Sequence, residues 1–200
     1  MKMNWLNLPS PLAIVALKTN RGEPTLTELA VLRLEPDRPP TFLDSRVVRT
    51  CTPGGPPAFV HLVPRLRELL RGAILVAHGT AEVSNALDAE LWELGGGFSH
   101  ATLCTRRLAR RTRPGRSSQL PRLARELGIP CGASSWSKAS ATAQVLSVLA
   151  TDPELVRGCL HTPRRPTAWP RVFASLVAPW PARLSVVQAE ASAQVPAPLL

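Results

Sequence analysis

Ile14-Val15-Ala16-Leu17-Lys18-Thr19-Asn20-Arg21-Gly22 is an apolar run that ends in a polar turn. With Ala13 in front, the stretch Ala13-Ile14-Val15-Ala16-Leu17 is short, continuous and without alternation, the pattern of a strand buried on both faces of a mixed α/β sheet. The turn chemistry of Asn20-Arg21-Gly22-Glu23-Pro24 leads into Leu26–Leu34 (LTELAVLRL), a second strand-like stretch closed by Pro36 and Pro39-Pro40, so the two read as a hairpin. Residues 41–50 supply a third, edge-like strand. Pro53-Gly54-Gly55-Pro56-Pro57 then reads as a loop.

Beyond the hairpin the period changes. Leu62, Leu66, Leu69 and Leu70 recur near helical spacing across residues 59–71, and Gly72 stands where a helix C-terminus prefers glycine. Ala73-Ile74-Leu75-Val76-Ala77 predicts another buried strand, and residues 81–94 an amphipathic helix closing on Gly95-Gly96-Gly97, with Trp92 expected in core or edge packing. Helical patterns at Thr105–Thr112 and 120–127 flank the Pro114-Gly115 turn. Residues 137–150 form the last strong helix, with Ser137 as a candidate cap.

After Asp152 prolines multiply and periodicity fades, so residues 1–152 are expected to form the domain and residues 153–200 a Pro-rich C-terminal appendage. Trp169, Phe173 and Trp180 equip that appendage either to clasp the domain or to anchor a partner protein. The 200 residues, 44% hydrophobic, suffice for one domain of about 150 residues with extra segments. Lys and Arg number 24 against 14 Asp and Glu, a formal charge of +10, which biases the protein toward polyanions. Cys51, Cys104, Cys131 and Cys159 form no CxxC pair or Cys/His cluster, which argues against a zinc site and for reduced thiols. The apolar run at residues 12–17 is far short of a membrane helix, so a cytoplasmic protein without a membrane partner is expected.

Five strings in order carry a resemblance to a known family. They are Ile14 to Gly22 with Glu28-Leu29-Ala30-Val31; Arg71-Gly72-Ala73-Ile74-Leu75-Val76-Ala77-His78-Gly79; Cys104-Thr105-Arg106-Arg107-Leu108-Ala109-Arg110-Arg111 with Pro114-Gly115; Leu120-Pro121-Arg122-Leu123-Ala124-Arg125-Glu126-Leu127-Gly128-Ile129-Pro130; and Ala139-Ser140-Ala141-Thr142-Ala143. Over roughly residues 12–150 the chain resembles the DnaQ-like (DEDDh-type) 3′–5′ exonuclease family of the ribonuclease H-like superfamily. The resemblance implies an α/β fold, a mixed five-stranded sheet flanked by helices, and a place in nucleic-acid metabolism beside a polymerase or repair assembly.

The same resemblance places the family's acids on residues that are not acids. Its first motif, Asp-x-Glu, falls on Lys18 and Asn20, the aspartate of the second on Val83, and that of the last on Lys138, with the motif's histidine near Ala133 or Ser134. Cys104 stands where the family helix begins with Asp, and no histidine occurs between His100 and His161. The family's reaction uses carboxylates to hold two divalent ions, Mg²⁺ or Mn²⁺, that activate water and stabilise the leaving oxygen. With ammonium groups, an amide and an isopropyl group in those places, no metal and no cofactor is expected.

Three functions follow. In the first, a catalytically degenerate exonuclease-family protein binds nucleic acid without metal-dependent cleavage, Lys18 and Lys138 standing in for metal charge and Arg106, Arg107, Arg110 and Arg111 gripping phosphates. In the second, the fold is a protein-interaction scaffold that uses residues 153–200. In the third, Glu82 with Asp88 or Glu90 rebuilds a metal site, although Glu82 near Lys18 makes a simple ion pair and these acids read as solvated helix surface. His78 is given a structural role. Ser134, Ser135 and Ser137 lack the His/Asp pattern of a nucleophile.

Overall fold

Side chains alternate across a strand, so a central strand buried on both faces must feed two cores, and β1 (Leu12–Thr19) does so. Ala13 and Val15 enter one cluster and Leu12, Ile14 and Ala16 the other. The computed structural model describes residues 10–20, 25–35, 38–47 and 58–162. The expected turn at 21–24, the loop at 53–57, Cys51 and the aromatics Trp169, Phe173 and Trp180 lie outside the described residues.

β2 (Leu26–Leu34) pairs antiparallel with β1, and β3 (Thr41–Arg46) pairs antiparallel with β2. After α1 (Phe59–Leu70), β4 (Ile74–Ala77) returns parallel to β1 on its other side. α2 (Thr80–Trp92) leads to β5 (Thr102–Cys104), parallel to β4, and α3 (Thr105–Thr112) follows without a linker. α4 (Leu120–Glu126), α5 (Ser135–Leu149), α6 (Pro153–Arg157) and β6 (Leu160–His161) complete the described chain. The sheet order is β3-β2-β1-β4-β5-β6. It is therefore a mixed sheet of six strands rather than five, because β6 pairs antiparallel with β5 through Thr102 and Leu103. Residues 153–162, grouped by composition with the appendage, carry α6 and β6, and Val156 and Cys159 are buried in the second core.

α1 and α2 cover one face with Leu62, Leu66, Leu70, Val83 and Leu87; α3, α4 and α5 cover the other with Leu108, Leu123, Val145 and Leu146. The helix after β4 thus packs on one face and the helix after β5 on the opposite one. This divergence opens a crevice at the carboxyl ends of β4 and β5, where ligands settle in open α/β sheets.

Two helix ends show how side chains fix the frame. Arg33 on β2 donates to the carbonyls of Leu69 (2.7 Å) and Arg71 (2.9 Å), bringing positive charge to the carboxyl end of α1. Gly72 follows at φ 64°, the left-handed stop expected of it. At α5 the cap is Ser134, whose Oγ accepts from the Ser137 N–H at 3.1 Å. Ser137, expected to be the cap, lies inside the first turn, and its own hydroxyl accepts from the Gly132 N–H.

Candidate nucleic-acid interface

The carboxyl end of β1 meets the start of β2 and the amino end of α5 in one knot. A register shift between Lys18 and Thr19 loosens the ladder, and Lys18 pairs opposite Glu28. The Lys18 ammonium lies 3.2 Å from the Glu28 carboxylate. The other Glu28 oxygen accepts from the N–H (3.1 Å) and hydroxyl (3.3 Å) of Ser135. Glu28 therefore ties two strands to a helix amino end, where negative charge is favourable. Burial pushes its carboxyl up, but the Ser135 N–H and Lys18 outweigh that and hold it below the ordinary glutamate value. Lys18 is 53% exposed and keeps two further N–H donors to offer.

The other positions mapped from the exonuclease motifs are distributed around this knot. Asn20 is exposed just beyond β1, its N–H donating to the Thr25 carbonyl at 3.1 Å. Lys138 stands three residues after Ser135 on α5 and so shares its side of the helix, and its charge acts on Cys131. Val83 is 7% exposed and buried in the first core, against which Leu17 also packs. Glu82 does not meet Lys18. It pairs with Arg106 at 3.4 Å and folds back over Gly79, whose φ of 103° no other residue adopts readily. Asp88 accepts the Phe98 N–H at 2.7 Å, and Glu90 accepts the Leu26 N–H at 2.9 Å beside the register shift. Each of these acids on α2 is committed to a different partner.

The arginines assemble elsewhere. Arg106, Arg107 and Arg110 line a cavity of about 1270 Å³ in the crevice at the ends of β4 and β5, which neither Lys18 nor Lys138 reaches. Arg111 turns the other way and donates to the Gly158 carbonyl at 3.0 Å. His78, expected to be structural, follows the end of β4 and is engaged through both ring nitrogens. Its Nε2–H donates to the Ser118 carbonyl at 2.7 Å, and burial holds the ring in its neutral form, so Nδ1 accepts from the Thr105 hydroxyl at 3.0 Å. Trp92, expected in packing, is 76% exposed on the rim of the same cavity.

Cys104 ends β5 inside that cavity and serves as the N-cap of α3. Burial raises its thiol, but the N–H groups of Thr80, Arg107 and Gly79 with the Thr80 hydroxyl outweigh it and bring the pKa below the ordinary cysteine value. Burial instead pushes Cys131 up, and Cys159 is 2% exposed. Thiolate is the reactive form. Brief alkylation near neutral pH followed by peptide mass spectrometry is expected to modify Cys104 first of these three; Cys131 reacting first would refute this account of the thiol.

Among solved structures the chain is similar to a full-length 3′-exonuclease, with TM-score 0.58, 11% identity, and 80% of this chain and 94% of that one covered. It is also similar to the nuclease domain of 3′hExo, a DEDDh family member, bound to rAMP (0.55, 12% identity, 79% and 99%). A third is the 3′-exonuclease in 3′-end specific recognition of histone mRNA stem-loop (0.53, 13% identity, 76% and 85%). The chain has the DEDDh-type 3′-exonuclease fold. The sequence matches no protein-family model and no curated protein. At 11–13% identity the likeness is one of fold.

The side chains at the positions mapped from the exonuclease motifs do not fit the divalent ions that the resemblance implies. Hard cations need oxygen ligands, preferably charged ones. Val83 offers no donor atom, Lys18 and Lys138 are cationic, and Glu28, opposite Lys18 in the sheet register, is engaged by Ser135 and Lys18. Among the described residues no group of three or more His, Cys, Asp or Glu side chains converges as metal ligands do. Among them, too, no helix is long and apolar enough to cross a membrane.

Proposed function

We propose that this chain is a nucleic-acid-binding protein built on the 3′-exonuclease fold, one that holds a strand without metal-dependent cleavage. The observation that carries this reading is the knot of Lys18, Glu28 and Ser135 at the carboxyl end of β1. Glu28 is engaged by Lys18 and by the amino end of α5, and Val83 offers no oxygen, so the side chains where the motif would place metal ligands are suited to hold a strand through Lys18 and Lys138 rather than to gather divalent ions. The formal charge of +10 and the exposed Arg107 and Arg110 favour polyanions from long range. One structural neighbour recognises a histone mRNA stem-loop and another is bound to rAMP, which supports nucleic acid as the ligand class.

The test combines binding and integrity of labelled single- and double-stranded DNA and RNA at two salt concentrations, with Mg²⁺, Mn²⁺ or EDTA. The expected result is salt-sensitive binding with full-length strands recovered under every condition. Lys18→Ala/Lys138→Ala is expected to flatten the salt dependence on single strands by about 1.4 in log–log slope, since each lost phosphate contact removes about 0.7. Metal-dependent shortening from the 3′ end, abolished by Glu82→Gln, would overturn the proposal. Neither binding nor cleavage would move the weight to a protein-interaction scaffold.

A further inference from the structure

The cavity at the ends of β4 and β5 has two unlike ends. α2 keeps Val83, Leu87 and Leu91 in the core and turns Ser84, Asp88 and Trp92, spaced four apart, toward the cavity. Its thirteen residues set Thr80 and Trp92 roughly 18 Å apart along the axis, so the space is a groove rather than a pit. The floor is polar sheet: Thr102 and Cys104 of β5 project to this side while Leu103 goes to the opposite core. Arg106, Arg107 and Arg110 stand at the α3 end. Trp92 stands at the carboxyl end of α2, 76% exposed and the most exposed large hydrophobic side chain among the described residues.

We infer that this groove takes up a short single-stranded stretch of DNA or RNA, its phosphates on Arg106, Arg107 and Arg110 and one unstacked base lying on the Trp92 indole. The inference rests on the proposed nucleic-acid function and gives it a second location, apart from the β1–α5 knot. Guanidinium groups match phosphate oxygens in a fixed fork, and an exposed indole offers a flat face that any base can stack on. In a duplex the bases are stacked on one another, so a Trp platform selects unpaired nucleotides. Of the two acids in the groove, Glu82 is paired with Arg106, while Asp88 accepts the Phe98 N–H and keeps its charge on the α2 wall, which leaves the phosphates to the α3 wall where the arginines stand. Trp92 and Phe98 are the large apolar side chains of this groove, and beside Ala81, Cys104 and Cys159 the lining consists of glycines, hydroxyls, histidines, arginines and the two acids. This arrangement suits one stacked base among phosphates better than a broad apolar protein contact.

The test is equilibrium binding of labelled oligo-dT and oligo-rU, with a duplex of equal length beside them, to wild type, Trp92→Ala, Trp92→Phe, Arg107→Gln/Arg110→Gln and Lys18→Ala/Lys138→Ala. All five side chains except Lys138 are exposed, so folding is not at stake in the groove variants. Trp92→Ala is expected to weaken single-strand binding by about five- to a hundredfold, the range of one base–aromatic stack, with the salt slope unchanged and most of the affinity regained in Trp92→Phe. Arg107→Gln/Arg110→Gln is expected to lower the slope by about 1.4. Bound oligo-dT is also expected to shield Cys104 from alkylation. If the lysine variant loses binding while Trp92→Ala and the arginine variant bind as wild type, the groove is refuted and the proposed function stands. If wild type binds no single strand at all, both fall. Equal loss on duplex and single strands would refute stacking on Trp92.

Discussion

Val83→Asp, which returns an acid to the place where the second exonuclease motif would carry one, is expected to destabilise the protein by about 3–5 kcal/mol at pH 7. Val83 is 7% exposed and shares an apolar core with Leu17, Leu87 and Leu91. A charge placed there has to remain uncompensated, take up a proton or drag α2 outward, and an unpaired buried charge costs about that much. For a chain of this size the loss corresponds to a fall in Tm of roughly 6–20 °C. The penalty shrinks toward pH 4: burial raises the carboxyl pKa in the folded state, so the native protein binds the proton more tightly and gains stability relative to the unfolded chain as pH falls. Urea titrations at the two pH values measure both effects. A variant within about 0.5 kcal/mol of wild type would mean that position 83 reaches water, and that the side of α2 assigned to the core is wrong.

Glu28→Ala is expected to cost about 2 kcal/mol, because it strips the Ser135 N–H and hydroxyl of their acceptor in a place where Ser135 is 1% exposed. Lys18→Ala should cost no more than about 1 kcal/mol, as an exposed ion pair contributes little. This ordering separates the two roles of Glu28. If Lys18→Ala proved as damaging as Glu28→Ala, the tether to α5 would not be what matters. The pH dependence has a definite sign. The folded Glu28 carboxyl lies below its ordinary value of 4.5, so its contribution is complete above that pH and is lost as pH falls through the depressed folded value. Glu28→Gln, which keeps an acceptor oxygen but no charge, is expected to converge with wild type in that acid range.

The strands that feed both cores were readable because burial on both faces leaves an unbroken apolar run, as at residues 13–17 and 73–77. β5 and β6 were not readable as strands. Three residues and two residues are too few for any period to show, and the proline-rich composition after Asp152 hid the buried Val156 and Cys159. At the candidate site, the order of the exonuclease-like strings carried the fold, but spacing along the chain could not say which charges meet. Glu28 makes the ion pair with Lys18 that was expected of Glu82, since sheet register, rather than sequence distance, sets Lys18 opposite Glu28. A signal for Glu28 did exist: it falls on the side of β2 shared with Ala30, whose buried side chain packs in the second core, and a charge at such a position calls for a partner. Trp92 was misread for a related reason. At helical spacing it continues the row of Ser84 and Asp88 rather than that of Leu87 and Leu91, and that row faces the groove.

β6 gives the fold a property that concerns neither stability nor ligands. An edge strand displays free backbone N–H and C=O groups that can recruit a strand from another molecule, and short edges are one way proteins resist this. With two residues, β6 caps β5 while offering a stranger almost no ladder to extend. The short helix α6 pins it there through Val156, with Arg111 holding the Gly158 carbonyl between them. Cutting the chain at Asp152, where composition invites a boundary, would bare β5 and open the second core beside it. The ten residues from 153 to 162 are thus a guard on the sheet, and the first consequence of their loss would be self-association.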